Sequence, residues 1–172
     1  GTGILRWFTA TQNRTLTVSG NFTVSAGTFQ LAYGANNNAR TLALGGNLAI
    51  SGGTFDLSVQ TVGPSTLTLN VGGNYNQTGG TFQNSGSSGT VAEMHFTGAG
   101  KTFTQSPGTF DISKVNLTID ANAGVTLNNN ISISASRSLT VANNGTLTCS
   151  SQTVSGSGTF TLASGGSLQT AS

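Results

Sequence analysis

Two aspartates are the residues of this chain whose type and spacing best fit acid–base chemistry. Asp56 and Asp111 each stand directly after the Phe of a Gly-Thr-Phe triplet. If that triplet recurs once per coil of a solenoid, the two carboxyl groups lie roughly 9.6 Å apart, at two strand spacings. This is close to the gap between the carboxyl groups of an inverting glycosidase. No Lys, Arg, His or Tyr joins the column in the flanking strands to set one carboxyl apart as the acid, so we interpret both as parts of a solvated wall.

A second candidate pair is Glu93 and His95, which alternate on one face of the predicted strand Val91 to Phe96. They are suited to an acid–base pair or to two metal ligands, but Asp111 is the only further acid nearby and the ligand spacing of a metal site is unmet. We expect a surface pair. Cys149 is the only cysteine, and we predict that it points inward as a small hydrophobic residue. The sequence thus predicts no enzyme activity, no cofactor and no metal site.

The element that positions these residues is the triplet itself. Gly-Thr-Phe begins at residues 27, 53, 80 and 108, at intervals of 26, 27 and 28 residues. Short segments of alternating apolar residues lie between corners rich in Gly, Ser and Asn, and no segment has the 3.6-residue period of a helix. A fixed period of this size indicates stacked repeats. We predict an all-β, single-domain, right-handed parallel β-solenoid with about three strands per coil.

The period shortens towards the end of the chain. Leu117, Leu139 and Phe160 begin equivalent segments at intervals of 22 and 21 residues, and a fifth Gly-Thr-Phe, residues 158–160, belongs to this shorter pattern. We therefore divide the chain into an N-terminal strand, cap or inter-subunit segment at 1–14, a wide-coil solenoid at 15–115 and a narrow-coil solenoid with an open C-terminal end at 116–172. Insertions at 33–40 and 60–66 are expected to bulge from one edge.

Alternation within the triplet strand assigns its two faces. The Phe residues are predicted to form a stacked core ladder rather than a platform for sugars; they are Phe29, Phe55, Phe82 and Phe110. The Thr residues form an outward ladder: Thr28, Thr54, Thr81 and Thr109. A flat Thr array can order water, so ice binding is a minor alternative, but only four rungs match and Gln and Asp alternate beside them.

Apolar residues also mark the two ends of the predicted rod. Ile4, Leu5, Trp7 and Phe8 lie near the start, and Leu162 and Leu168 lie in the last coil. An uncovered solenoid end is an open sheet edge that templates further strand pairing. We take these six residues as candidate contacts between subunits and expect self-association into a fibre or array.

Composition excludes several classes of protein. Charged residues make up 6% of the 172 residues and the net charge is +2, whereas disordered chains carry high net charge and little apolar patterning. The six basic residues are scattered, which argues against binding to nucleic acid. No apolar run approaches the ~18 residues of a membrane-spanning helix, so we expect no membrane insertion.

The repeats resemble those of large bacterial cell-surface β-solenoid proteins, of the filamentous adhesin or autotransporter-passenger type. The segments that carry the resemblance are 42–55 (LALGGNLAISGGTF) and 94–103 (MHFTGAGKTF). The resemblance implies secretion, an extracellular location and a structural or adhesive role, and it transfers no catalytic residues. Our leading expectation is an extracellular rod or fibre subunit. An adhesin segment that binds glycans or a host surface through the bulging loops is the alternative, and a polysaccharide-cleaving β-helix enzyme is less favoured.

Overall fold

The computed structural model describes residues 3–8, 12–33, 38–59, 66–87 and 90–171, and within these ranges the chain forms 21 strands and no helix. The first strands are β1 Ile4–Phe8, β2 Arg14–Val18, β3 Phe22–Val24, β4 Thr28–Tyr33, β5 Arg40–Leu44, β6 Leu48–Ile50 and β7 Thr54–Val59. The middle strands are β8 Leu67–Val71, β9 Tyr75–Gln77, β10 Thr81–Gln83, β11 Ala92–Phe96, β12 Lys101–Gln105, β13 Thr109–Phe110 and β14 Val115–Ile119. The last strands are β15 Gly124–Leu127, β16 Ile131–Ile133, β17 Ser138–Val141, β18 Thr146–Ser150, β19 Val154–Gly156, β20 Thr159–Leu162 and β21 Ser167–Thr170.

The strands form the flat sides of a solenoid, and every neighbouring pair is parallel. The first side has five strands in the order β1-β4-β7-β10-β13, and the second has seven, β2-β5-β8-β11-β14-β17-β20. The third side also has seven, β3-β6-β9-β12-β15-β18-β21, and the short side has two, β16-β19. The predicted all-β parallel solenoid in a single domain is confirmed, with about six turns. The right-handed wind stays a prediction.

The register along the first side aligns the Gly-Thr-Phe triplets. Thr54 pairs with Thr28 and with Thr81, and Thr81 pairs with Thr109. The Phe residues align in the same way because side chains alternate between the two faces of each strand. The glycine before each triplet strand has a left-handed backbone, with φ of 69° at Gly27, 66° at Gly53 and 61° at Gly80. The fifth triplet is different: its Phe160 lies on the second side and pairs with Leu139.

Asparagine side chains connect successive corners of the wide coils. Asn21 Oδ1 accepts a hydrogen bond from the Asn47 backbone N–H at 2.8 Å, and Asn47 Oδ1 accepts one from the Asn74 N–H at 2.7 Å. Asn74 Oδ1 in turn accepts from the Thr102 N–H at 3.0 Å. Each side chain thus satisfies a backbone donor of the next coil at a corner, where the strand ladder is interrupted.

The core of the wide coils is an aromatic stack. Phe55 lies 5.2 Å from Phe29 and 5.6 Å from Phe82 between ring centroids, and Phe82 lies 5.1 Å from Phe110. Tyr75 is fully buried among these rings and donates its hydroxyl to Gln77 Oε1 at 2.8 Å. Burial raises the pKa of the Tyr75 hydroxyl well above its usual value. The Phe column therefore lies inside, and its Thr neighbours lie on the outer face, where they are half-buried or exposed.

The rod changes cross-section where the sequence period shortens. The first side ends at β13, and the short side begins at β16, while the second and third sides continue past this point. At corners of the narrow coils, non-glycine residues adopt left-handed backbone angles, with φ of 63° at Asn122, 61° at Ser136 and 59° at Asn144. Asparagine tolerates this conformation better than other side chains. The shorter coil thus uses different corner residues from the wide coil.

The N-terminal strand extends the first side. β1 pairs in parallel with β4, with Ile4 opposite Thr28 and Phe8 opposite Ala32. β1 is therefore an edge strand of the solenoid, with one edge joined to β4 and the other facing away from the rod. Residues 34–37 and 60–65 of the two predicted insertions lie outside the described residues, as does the side chain of Phe8.

Candidate functional site

Asp56 is buried, so the expectation that it lies on a solvated wall is wrong. Its side chain is 2% exposed. Its Oδ2 accepts hydrogen bonds from Gln83 Nε2 at 2.8 Å and from Ser85 Oγ at 2.6 Å. Its Oδ1 accepts from the backbone N–H groups of Ser58 at 3.1 Å and Ser85 at 3.0 Å. These four donors enclose the carboxylate and compensate for its burial.

The connection after β10 covers this carboxylate and is itself held in place. Asn84 is buried and donates from Nδ2 to the carbonyl oxygens of Thr90 and Lys114, each at 3.1 Å. Lys114 Nζ in turn contacts the Gly86 carbonyl oxygen. Asp56 therefore anchors a connection of the next coil to the outside of the first side, which is a structural role.

Replacing Asp56 with Asn is expected to lower the free energy of unfolding by about 1–3 kcal/mol, because the new amide group would face donors where Oδ2 now accepts. Asp111→Asn is the matched control in the same column. Asp111 is exposed, and its Oδ1 accepts from the Ser113 N–H at 2.9 Å, a bond that Asn retains. Chemical denaturation followed by circular dichroism measures both variants. Equal losses in the two would contradict this role for Asp56.

A cation also joins the column of Asp56, which the sequence reasoning did not anticipate. Arg6 on β1 lies opposite Gln30 and donates from Nε to Gln30 Oε1 at 2.9 Å. Its guanidinium also lies over the Tyr33 ring, 4.1 Å from the centroid. The strand β1 supplies this residue, and the segment that contains it had no repeat partner in the sequence.

Because Asp56 is enclosed and Asp111 is exposed, the two carboxylates do not flank a common cleft.

His95 pairs with an aspartate that the sequence reasoning did not associate with it. Its Nδ1 donates to Asp120 Oδ1 at 2.7 Å, on the outer face of the second side. Glu93, on the same strand face, accepts from Asn116 Nδ2 at 2.8 Å. Asp120 was missed because it lies just beyond β14, which ends one residue before it, at Ile119. The two side chains are partly exposed on a flat wall, where such a contact contributes little to stability.

No group of three or more His, Cys, Asp and Glu side chains that could hold a metal ion occurs in the described ranges. Cys149 points inward, as the sequence predicted, and is a free, buried thiol beneath the last coil. Burial raises the pKa of this thiol.

A helix long and apolar enough to cross a membrane is absent from the residues that the structure describes.

Exposed apolar side chains concentrate at the two ends of the solenoid. Among the described residues, seven large hydrophobic side chains are exposed, and six of them lie on the end strands β1, β20 and β21. At the N-terminal end they are Ile4 (53% exposed), Leu5 (56%) and Trp7 (47%), and at the C-terminal end Phe160 (37%), Leu162 (45%) and Leu168 (42%). Five of the six residues predicted as subunit contacts are in this set, and Phe160 is an addition.

A cavity opens at each end of the core. The N-terminal cavity has a volume of about 370 Å³ and is lined by residues that include Ile4, Leu5, Phe22 and Phe29. The C-terminal cavity, also of about 370 Å³, is lined by residues that include Cys149, Val154, Phe160 and Leu168. Both ends are thus recessed and carry exposed apolar side chains, and the C-terminal cavity is mainly apolar, whereas the lining of the N-terminal cavity also includes Thr23, Ser25 and Thr28. These two surfaces are the candidate functional sites of the chain.

Comparison of the chain with protein-family models, with curated proteins and with solved structures finds no match in any of the three.

Proposed function

We propose that this chain is an extracellular structural protein, a rod or fibre subunit of a bacterial surface that assembles end to end. The observation that carries the proposal is the concentration of exposed apolar side chains on the end strands β1, β20 and β21. Apolar patches rimmed by polar residues on a soluble domain are typical of interaction sites. In the part of the chain that the structure describes, each end strand also stands at the edge of its sheet, a position that favours the addition of a further strand.

The construction of the walls supports the structural part of the proposal. Parallel ladders hold each coil to the next along the whole described length, and in the wide coils the aromatic stack and the Asn bridges add to them. Such a stack makes a stiff element whose length is set by the number of coils. The extracellular location is supported by the resemblance to bacterial surface solenoids and by walls that carry few charges.

We expect the 172-residue chain to form oligomers whose size grows with protein concentration, because each end offers apolar surface and unpaired strand edges. Light scattering measures the mass, and negative-stain imaging shows whether the particles lengthen without thickening. The double variant Leu162→Lys and Leu168→Lys should remain monomeric, because charged edge residues oppose strand addition.

The matched control adds the same charge to the walls rather than to the end. Thr126 and Thr140 occupy outward positions of β15 and β17. The double variant Thr126→Lys and Thr140→Lys should assemble like the unmodified chain. A monodisperse monomer at high concentration for the unmodified chain would reject end-to-end assembly. Equal loss of assembly in both double variants would show that added positive charge prevents association wherever it is placed, and would contradict a specific role for the C-terminal end.

A further inference from the structure

We propose that the end-to-end contact is a head-to-tail continuation of the second and third sides, with β20 of one copy pairing in parallel with β2 of the next. This inference rests on the proposed function and specifies its geometry. The second and third sides are the only ones that run through both the wide and the narrow coils of the described chain. Their edge strands are β2 and β3 at the N-terminal end and β20 and β21 at the C-terminal end. In a head-to-tail contact, β20 and β21 of one copy therefore face β2 and β3 of the next copy on the same two sides.

The register of the second side specifies which residues meet. Phe160 already pairs with Leu139, and Leu162 with Val141, while at the other end Leu16 pairs with Leu42 and Val18 with Leu44. Continuing the same register places Phe160 opposite Leu16 and Leu162 opposite Val18. Leu16 and Val18 are only partly buried, as expected of core residues that have neighbours on one side alone. The contact would complete the burial of all four side chains.

The third side brings an aromatic residue to the C-terminal cavity. The column that begins at Phe22 continues through Leu48, Tyr75, Phe103 and Leu127. In the next coil Cys149 follows Leu127, one residue beyond the pair of Thr126 with Thr148. Cys149 lines the C-terminal cavity. The edge strand of this side is β21, whose register with β18 shifts between Thr148 and Ser150 and whose Thr170 also lines the cavity. A second copy stacked on β21 places the ring of its Phe22, which is partly buried, over the mouth of that cavity.

The two ends differ on their remaining side, and the parallel pairing of the strands sets the direction of stacking. At the N-terminal end the remaining edge is β1 of the first side, and at the C-terminal end it is β19 of the short side. Head-to-tail stacking keeps β20 and β2 parallel, as all other pairs in the solenoid are, whereas two identical ends could meet only in antiparallel fashion. A contact between different surfaces of identical copies leaves one surface of each kind free and propagates into a filament.

Disulfide trapping tests the register. Thr17 and Thr161 occupy outward positions that the proposed pairing makes direct neighbours, at roughly 4.8 Å between strands, within the Cα separation that a disulfide spans. Within one chain, six strand spacings separate β2 from β20, roughly 29 Å, so any bond between these residues joins two copies. The variant carries Thr17→Cys and Thr161→Cys in a Cys149→Ala background. The control carries Thr23→Cys with Thr161→Cys in the same background, which places one thiol on the third side instead.

We expect a ladder of covalent oligomers from the first variant after mild oxidation and its loss in the control, with both assembling to the same extent by light scattering. Assembly without a ladder in the first variant, or equal ladders in the two, would overturn the proposed register and leave the proposed function standing. A failure of the unmodified chain to assemble would overturn both. Reduction of the ladder to single chains identifies the disulfide as the link.

Discussion

Replacing Phe82 with Ala is expected to lower the free energy of unfolding by about 3–5 kcal/mol, the cost typical of truncating a fully buried aromatic side chain. Phe82 is fully buried, with its ring centroid 5.6 Å from that of Phe55, 5.1 Å from that of Phe110 and 5.9 Å from that of Tyr75. The truncation removes all three ring contacts and leaves a cavity. The rigid ladders on both sides restrict how far the neighbouring coils can close it.

The matched control is Phe160→Ala, which makes the same chemical change at the exposed C-terminal end. Its cost should be about 1 kcal/mol or less, because 37% of the Phe160 side chain is already exposed. Both values come from chemical denaturation at low protein concentration, so that association does not contribute. A Phe82→Ala variant as stable as Phe160→Ala would show that the aromatic stack is not the stabilising core of the wide coils.

Replacing Gly53 with Ala is expected to cost about 2–5 kcal/mol, since two penalties act at this corner. The backbone of Gly53 has φ of 66°, which residues with a Cβ rarely adopt. A Cβ at this position would also lie 2.3 Å from the Gly27 carbonyl oxygen and 2.7 Å from the Ala26 carbonyl carbon. These are backbone atoms of the preceding coil, so relief would require the two coils to separate at the corner.

Two other glycines separate the backbone penalty from the penalty of the close contact between coils. Gly100 has φ of 63° but no atom within 4 Å of an added Cβ, so Gly100→Ala measures the backbone penalty alone, about 1–2 kcal/mol. Gly20 has neither feature, so Gly20→Ala should be close to neutral. Thermal unfolding of the three variants should therefore give the order Gly53, Gly100, Gly20 from most to least destabilised. A loss at Gly20 equal to that at Gly53 would contradict the role of close coil contact.

The register of the solenoid was predictable because the sequence repeats its corner residues. Alignment of Thr28 with Thr54 and Thr81 follows directly from the recurring Gly-Thr-Phe, and the structure pairs these residues. The narrowing of the coils was equally visible, since the interval between Leu117 and Leu139 predicts their pairing on the second side. Periodicity determines neighbours along the axis, since each strand pairs with its counterpart one coil away.

The residues that cover the outer face of a solenoid side could not be predicted from periodicity. Alternation correctly assigned Asp56 to the outer face of its strand, but Ser85, which covers it, lies in the connection after β10 and outside the repeated strand pattern. The partner of His95 was missed for a similar reason, because Asp120 follows the end of β14 rather than lying within it. The pairing of β1 with β4 was one of two alternatives, since residues 1–14 contain no repeat of the triplet.

The change of cross-section has a consequence for cooperativity. At the boundary between β13 and β16 the first side has ended, so the wide and narrow coils are joined mainly through the ladders of the second and third sides. In stacked repeats stability is a sum of terms for each repeat and for each contact between neighbours, so a boundary with fewer ladders couples its two parts less strongly. We therefore expect the narrow coils to open as one unit while the aromatic stack of the wide coils stays closed, so that the rod has two foldons of unequal stability along one continuous axis.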